Sequence, residues 1–185
     1  MRITSLKKSH IQEIIDLSDT AFGQGYLTID YLKKYINSSK KSGFVTLSES
    51  NKLIGFILLE SLSIKNFSNQ VLEEKEWFNT YFQGYKNITL IHQIAVNSSF
   101  QKQGIATNLL NHFRNQTTVN LELICCFAWV KENFTPFKKI LLKDGFLFIK
   151  KINNYWLKDS SSKKYNCSYC GAPPCKCSAE IFIKK

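Results

Sequence analysis

The residues with the clearest chemical potential form a polar loop between a strand and a helix. Residues 88–96 read as a strand, and residues 104–114 have the apolar spacing of an amphipathic helix. A loop that opens a helix directs several backbone N–H groups at one point, where the helix dipole adds positive charge. Gly104 allows a ligand to come close to the backbone, and the small side chain of Ala106 adds little bulk to the wall of the loop. The loop therefore predicts a pyrophosphate site, with an ordinary strand-to-helix turn as the alternative.

This stretch resembles the acetyl-CoA signature of the GNAT superfamily of N-acetyltransferases. The signature is a strand ending Ile94-Ala95-Val96 and then Gln/Arg-x-x-Gly-x-Gly/Ala, which here is residues 101–106. Downstream, Lys143-Asp144-Gly145-Phe146 resembles the helix-to-strand Gly-Phe step of the same superfamily. The resemblance spans about residues 1–158. It implies a GNAT-like α/β fold and the transfer of acetyl from acetyl-CoA to a primary amine, by direct attack in a ternary complex.

The resemblance also implies where acetyl-CoA binds. The N–H groups of residues 101–107 would hold the pyrophosphate, and the backbone of Ile94 and Val96 would pair with the pantetheine arm. The Ile94 N–H would donate to the thioester carbonyl, where negative charge develops. The implied cofactor-binding residues are Ile94, Ala95, Val96, Gln101, Lys102, Gln103, Gly104, Ile105, Ala106 and Thr107.

His92 is the candidate general base. In a regular strand residues 92, 94 and 96 share one face, so the sequence predicts that His92 points the same way as the residues beside the cofactor. Serotonin N-acetyltransferase-like members of the superfamily place a histidine at this position, and an imidazole exchanges protons near neutral pH. A histidine with a structural role, or one that binds the acceptor, is the alternative.

Two positions depart from the pattern of the superfamily. Many relatives carry a tyrosine, four residues before the Gly of the Gly-Phe step, that protonates the departing thiolate; Leu141 stands there. Members that acetylate peptide N-termini carry a glutamate in the fifth strand, near Ala128. Tyr155 and Tyr165 are substitute acids, with simple packing as the alternative. These departures keep open a second hypothesis, a catalytically idle fold whose tail binds protein or nucleic acid.

Two segments are candidates for binding the acceptor amine. The first is the acidic run Glu73, Glu74 and Glu76 beside Trp77, because carboxylates and an aromatic face suit a cationic amine. A solvated surface is the alternative for this run. The second segment is residues 22–26, which lie between the first two predicted helices.

Four of the six cysteines lie within residues 167–177, here called the cysteine knuckle. Cys-x-x-Cys-Gly lets two thiolates converge, and Cys-x-Cys completes four ligands, the donor set of a structural Zn²⁺ site. Free or redox thiols and disulfides are the alternatives, and a reducing cytosol argues against disulfides. We therefore expect a zinc site that is remote from the thioester. Its ligands are Cys167, Cys170, Cys175 and Cys177.

The net charge of +11 suggests nucleic acid as a ligand, but the kind of cation argues against it. Only Arg2 and Arg114 are arginines, and readers of bases and phosphates depend on the bidentate arginine fork. No apolar run is long enough to cross a bilayer, and the N-terminus lacks the pattern of a signal peptide. The expected compartment is the cytoplasm. The expected partners are acetyl-CoA and an amine acceptor, with a homodimer left open.

The elements predicted around these residues have the order β-αα-βββ-α-β-α-ββ. This order indicates an α/β fold with one mixed central sheet flanked by helices on both faces. The apolar segment 119–130 predicts a strand buried on both faces. The last strand is expected from residues 155–158 or from the tail. We expect an acetyltransferase domain over residues 1–158 and a cysteine-rich tail, packed on it, over residues 159–185.

Overall fold

One mixed sheet organises the chain. The structure is a computed structural model, and it describes residues 1–69, 71, 74–116 and 122–185. The strands in these residues are β1 (Arg2–Ser5), β2 (Lys41–Leu47), β3 (Leu53–Ser63), β4 (Asn87–Val96), β5 (Ile124–Val130), β6 (Leu147–Ile152) and β7 (Ser178–Lys184). They follow the order β1-β2-β3-β4-β5-β7-β6. The pair β4–β5 is parallel, and the other neighbouring pairs are antiparallel.

Helices cover both faces of the sheet. They are α1 (Ile11–Ala21), α2 (Ile29–Ile36), α3 (Ile64–Ser68), α4 (Lys75–Tyr81), α5 (Ile105–Gln116), α6 (Lys138–Lys143) and α7 (Leu157–Lys163). One core cluster joins the sheet to α5 and α6, and two others join the opposite face to α1 to α4. The predicted class, a mixed central sheet flanked by helices on both faces, is confirmed. Within the described residues, each helix is too short or too polar to cross a membrane.

Local sequence explains the elements that later carry the site. The Thr28 hydroxyl caps α2 by accepting a hydrogen bond from the Tyr31 N–H (3.2 Å). In α5, Ile105, Leu109 and Phe113 recur at helical spacing and are all buried against the sheet. The amphipathic helix predicted over residues 104–114 is therefore confirmed.

The last strand of the sheet comes from the tail. β7 pairs with β5 along its whole length and with β6 on its other edge. A strand in this position needs side chains buried on both faces, and Ile181, Phe182 and Ile183 are buried in succession. The alternative, a strand over residues 155–158, is wrong because residues 155–156 are in a turn and Leu157 begins α7.

Two of the sequence predictions fall partly outside the described residues. The strand predicted over residues 119–130 appears as β5, and residues 119–121 lie outside. Of the acidic run, Glu73 lies outside.

Candidate active site

A gap opens in the sheet between β4 and β5. The two strands pair only at Thr89–Ile124, Leu90–Cys125 and Ile91–Cys126, although both continue beyond these pairs. A cavity of about 140 Å³ fills the space where they have separated. Its walls include residues 91–94 of β4 and 126–129 of β5. A free strand edge inside a sheet is a place where an extended ligand can pair with the backbone.

A β-bulge in β4 marks the start of the gap. Leu58 lies opposite Gln93 and Leu59 lies opposite Ile91, so His92 is the extra residue. The bulge breaks the alternation on which the sequence prediction for His92 depended. Ile94 packs on the face that carries α5, whereas His92 contacts groups on the opposite face. The prediction that His92 shares a face with residues 94 and 96 is therefore wrong.

The direction of the backbone N–H groups beyond the bulge follows from one hydrogen bond and the period of the strand. The Asn97 N–H donates to the Ile54 carbonyl of β3 (2.9 Å). Alternate residues of an antiparallel strand turn their N–H groups to the same neighbour, so Ala95 also faces β3. Ile94 and Val96 consequently direct their N–H groups to the gap.

The loop after β4 presents backbone N–H groups to open space. Lys102 (φ +60°) and Gly104 (φ +79°) both have left-handed backbone conformations, which turn the chain into α5. A Cβ added at Gly104 would meet no described heavy atom within 4 Å. The first turn of α5 has N–H groups without partners inside the helix and contains no acidic residue. These features suit an anion.

The other residues predicted in the cofactor site divide into backbone and side-chain positions. Ala95 and Ile105 have buried side chains. The Ala95 backbone is paired with Phe56 of β3, so of these two residues only Ile105 has a backbone N–H at the loop. Gln101 uses its side-chain amide to donate to the Val96 carbonyl (3.1 Å), which braces the loop against β4. Lys102 and Gln103 are exposed.

His92 belongs to a three-residue ionic cluster. Its Nε2 lies 2.6 Å from Glu60 Oε2, and Lys41 Nζ lies 2.5 Å from the same oxygen. Burial alone would raise the pKa of Glu60, but the hydrogen bonds and charges of His92 and Lys41 outweigh burial and lower that pKa to about 2. The ionised Glu60 carboxylate therefore accepts a hydrogen bond from His92 Nε2–H, and in the neutral form of the imidazole this tautomer has its lone pair on Nδ1. Tyr35 places its ring edge-on to the imidazole.

A second, larger cavity lies on the His92 side of the sheet. It has a volume of about 860 Å³, within the usual range for small-molecule sites. Its lining comes from the α1–α2 connection, the ionic cluster and the start of α7. Burial raises the pKa of Tyr26 to about 12, so this cavity-lining hydroxyl stays protonated at neutral pH. We call this space the acceptor cleft.

The candidates for the general acid and for acceptor binding lie in different parts of the site. Leu141 is buried in the core between α6 and the sheet. Tyr165 lines the cavity in the gap and Tyr155 lines the acceptor cleft, and burial raises the pKa of each hydroxyl. Glu74 lines the acceptor cleft, where it is paired with Lys150 (2.6 Å).

Glu76 of the acidic run and the neighbouring Trp77 are not among the described residues that line the acceptor cleft. Trp77 stacks on Tyr81 (ring centroids 4.9 Å apart) and carries the Lys150 ammonium over its ring (4.5 Å). Glu76 is exposed to solvent.

The cysteine knuckle gathers its four sulfur atoms at one point. All four Sγ atoms lie within 4.8 Å of one another, and the pairs 167–177, 170–175 and 170–177 are 3.9, 3.8 and 3.2 Å apart. Four sulfurs at about 2.3 Å from a tetrahedral zinc are about 3.8 Å apart, so the donor set fits this ion. The Tyr169 N–H donates to Cys167 Sγ (3.4 Å), which orients that sulfur. None of the six cysteines is in a disulfide.

The cysteine knuckle is not remote from the gap. Cys167 and Cys175 line the same cavity as His92 and Ile94. The expectation of a remote site is corrected, because β7 follows the knuckle directly and enters the sheet beside β5.

Comparison with known proteins identifies the family and the fold of this chain. A model described as the acetyltransferase (GNAT) family matches residues 11–117, more than half of the chain, and no curated protein matches. Arabidopsis thaliana NAA60 in complex with acetyl-CoA is 12% identical, with a TM-score of 0.72 over 99% of this chain and 97% of that chain. The ribosomal-protein-S18-alanine N-acetyltransferase of Escherichia coli is 12% identical, with a TM-score of 0.64 over 98% and 91%. At these identities the similarity shows the fold.

Proposed function

This chain belongs to the acetyltransferase (GNAT) family, and we propose that it transfers the acetyl group of acetyl-CoA to a primary amine of a small molecule or peptide. The observation that carries this proposal is the free edge of β4, which leads directly into the anion-binding loop. The Arabidopsis thaliana NAA60 structure with acetyl-CoA supports the choice of donor, and the NAA60 structure with a bisubstrate analogue supports a ternary complex.

The acetyl-CoA contacts follow the residues of β4 and its loop. The pyrophosphate lies against the N–H groups of residues 101–107, with Gly104 allowing the closest approach. The pantetheine arm pairs with Ile94 and Val96 as an added strand, and Ala95 continues the pairing to β3. The Ile94 N–H donates to the thioester oxygen and stabilises the negative charge that develops there.

The ionic cluster supplies the base. The neutral amine nitrogen attacks the thioester carbon and forms the C–N bond, the C–S bond breaks so that coenzyme A leaves as its thiolate, and the amine gives its proton to Nδ1 of His92. Glu60 holds the imidazole in the required tautomer and stabilises the positive charge that the ring acquires. The amine reaches His92 from the acceptor cleft, while the thioester lies in the gap.

The cysteine knuckle binds one structural Zn²⁺. The site is proposed on the spacing of its four sulfur atoms and on the tight turn in which Cys167 and Gly171 exchange two backbone hydrogen bonds (2.8 and 3.0 Å). Four protein thiolates complete a tetrahedral shell, so this ion has no open position for substrate.

The first experiment measures binding and transfer separately. Acetyl-CoA at about 100 times its dissociation constant should add roughly 2.7 kcal/mol of stability, which a thermal-shift assay detects. Transfer is then screened by mass spectrometry against a panel of N-terminal peptides, a lysine peptide, agmatine and spermidine. Absence of both acetyl-CoA binding and acetylated product would contradict the proposal. Binding without transfer to any panel member would favour the catalytically idle fold.

A further inference from the structure

The cysteine knuckle is bonded to the connection between α1 and α2. The Ser168 N–H donates to the Phe22 carbonyl (2.9 Å), and the Ser168 hydroxyl donates to the Ala21 carbonyl (3.0 Å). Immediately before the knuckle, the Asn166 N–H donates to the Gln24 carbonyl (3.1 Å). Since this connection lines the acceptor cleft, the position of the cleft wall depends on the knuckle.

Gly23 lies at the closest point of this contact. A Cβ added there would stand 1.6 Å from the carbonyl oxygen of Asn166, and the φ of Gly23 is +124°. The two backbones therefore touch directly, with no room for a side chain between them. A small movement of either segment must move the other.

The other side of the knuckle is bonded to α7 and β5. The Cys175 N–H donates to the hydroxyl of Ser160, a buried residue of α7 (2.8 Å). Trp129 of β5 packs against the buried cysteines, and Ser178, directly after the knuckle, pairs with Val130. The knuckle thus joins three of the elements that surround the gap and the acceptor cleft.

We propose that the metal bound by the cysteine knuckle fixes the acceptor side of the active site, so that acetyl transfer depends on a metal that takes no part in the chemistry. This inference rests on the proposed acetyl transfer. Cys167 and Cys175 are metal ligands that also line the gap cavity, and this cavity shares Tyr26, His92 and Trp156 with the acceptor cleft. The ion therefore positions wall atoms next to the place where the two cavities meet. A segment as short as the knuckle cannot bury a core of its own, and metal binding supplies its folding energy.

The acetyl-CoA contacts should survive loss of the metal. They lie on β4 and on the start of α5, which are held by β3 and by the core that includes Leu109 and Phe113. β7 should also remain in place, because it pairs with β5 over seven residues and its Ile181 and Phe182 are fully buried. Metal loss therefore acts on the acceptor cleft.

The test compares metal-loaded protein with metal-depleted protein and with Cys170→Ser. Cys170 is the exposed ligand and is not part of the cavity lining, so its substitution weakens metal binding without reshaping the wall directly. Zinc content is measured by mass spectrometry, acetyl-CoA affinity by calorimetry, and transfer with the best amine of the panel. Hydrogen exchange of residues 19–28 and 101–107 gives a readout that needs no acceptor.

We expect metal loss to reduce turnover by about 10–100-fold, because small misplacements of a bound reactant have effects of this size. Acetyl-CoA affinity should change by less than about threefold, on the argument that local unfolding can leave other cooperative units intact. Exchange should accelerate in residues 19–28 and stay constant in residues 101–107.

Gly23→Ala separates the role of the wall from the role of the metal. It should keep its zinc and still lose turnover, because the added methyl group pushes the α1–α2 connection away from Asn166. Gly84→Ala is the matched control, since Gly84 also has a positive φ (+96°) but no described atom within 4 Å of an added Cβ. A folded Gly23→Ala variant with zinc and full turnover would contradict the wall mechanism.

The remaining outcomes separate this inference from the proposed function. Full turnover and unchanged exchange of residues 19–28 in metal-depleted protein would overturn the inference and leave acetyl transfer standing. Normal transfer by protein that binds no zinc at all would also overturn it. Metal-loaded protein that fails to bind acetyl-CoA would instead contradict the proposed function.

Discussion

Replacing Glu60 with glutamine tests the ionic cluster at its centre. Glu60→Gln keeps the size of the side chain but removes the charge that His92 and Lys41 share. The pKa of Glu60 is lowered from its ordinary value of 4.5 to about 2 in the folded protein. A difference of that size corresponds to about 3 kcal/mol at neutral pH, and water that still reaches the cluster reduces this to about 1–2 kcal/mol.

The pH dependence has a definite sign. Because the folded-state pKa of Glu60 is depressed, its stabilisation is complete above about pH 5 and is lost as the pH falls through about 2. The stability difference between the wild type and Glu60→Gln should therefore be smaller at pH 3.5 than at pH 7. In thermal unfolding at pH 7, the variant should melt about 2–8 °C lower.

Catalysis should suffer more than stability. An amide at position 60 can present either its oxygen or its NH₂ group to His92, so the imidazole is no longer held in one tautomer. We expect turnover to fall by about 10²-fold at pH 7, the lower end of the range for general acid–base catalysis, with unchanged acetyl-CoA affinity. The assay is initial-rate transfer to the best amine of the panel, alongside calorimetry with acetyl-CoA.

Glu180→Gln is the matched control. The Glu180 side chain is 13% exposed, as is that of Glu60, and it is also paired with a lysine, Lys138. Glu180 lies in β7 and is not part of the lining of either cavity. The Glu180→Gln variant should be less stable than the wild type but should keep the wild-type turnover. If Glu60→Gln keeps both the stability and the turnover of the wild type, the cluster has neither of the roles given to it here.

Three further predictions concern the other parts of the site. His92→Ala should lower turnover by about 10²–10⁴-fold at pH 7, and the loss should shrink at high pH, where the amine arrives already neutral. Initial rates of the wild type and the variant between pH 7 and pH 10 check this. If the ratio of the two rates does not change with pH, His92 has a structural role instead. Gly104→Glu should abolish acetyl-CoA binding in calorimetry, because it places bulk and negative charge at the pyrophosphate, whereas Gly84→Glu carries a similar backbone strain and should bind normally. Protein purified without added zinc should contain about one zinc per chain by mass spectrometry, and far less than one equivalent, together with four titratable thiols in the cysteine knuckle, would contradict the site.

The parts of the site that could be predicted from sequence are those whose residues are close together in the chain. The loop from Gln101 to Thr107 carries its own geometry, since Gly104 and the start of α5 define where its N–H groups point. The cysteine knuckle is equally local, because Cys-x-x-Cys-Gly determines a turn within five residues. In both cases short-range backbone chemistry specifies the structure.

Register between distant strands could not be predicted in the same way. The bulge at His92 exists only relative to β3, and Glu60 is 32 residues away along the chain. A signal for Glu60 was present, because it directly follows the apolar run of residues 53–59 and is the single carboxylate of residues 53–62. Its partner was not visible, since pairing across a sheet depends on the register that the bulge itself changes.

In the mechanism proposed above, the bulge lets one strand serve two substrates, the amine on the face that carries His92 and acetyl-CoA in the gap. Pairing between β4 and β5 stops at Ile91, and His92 is the next residue. The extra residue turns the His92 side chain toward Glu60 and the acceptor cleft, while Ile94 and Val96 keep their N–H groups in the gap. A regular strand would have placed the side chains of His92, Ile94 and Val96 on one face. In the mechanism proposed above, the bulge instead puts the proposed base, His92, beside the acceptor cleft and leaves the backbone of Ile94 and Val96 free for acetyl-CoA, so that the amine and the thioester would meet at β4 from different directions.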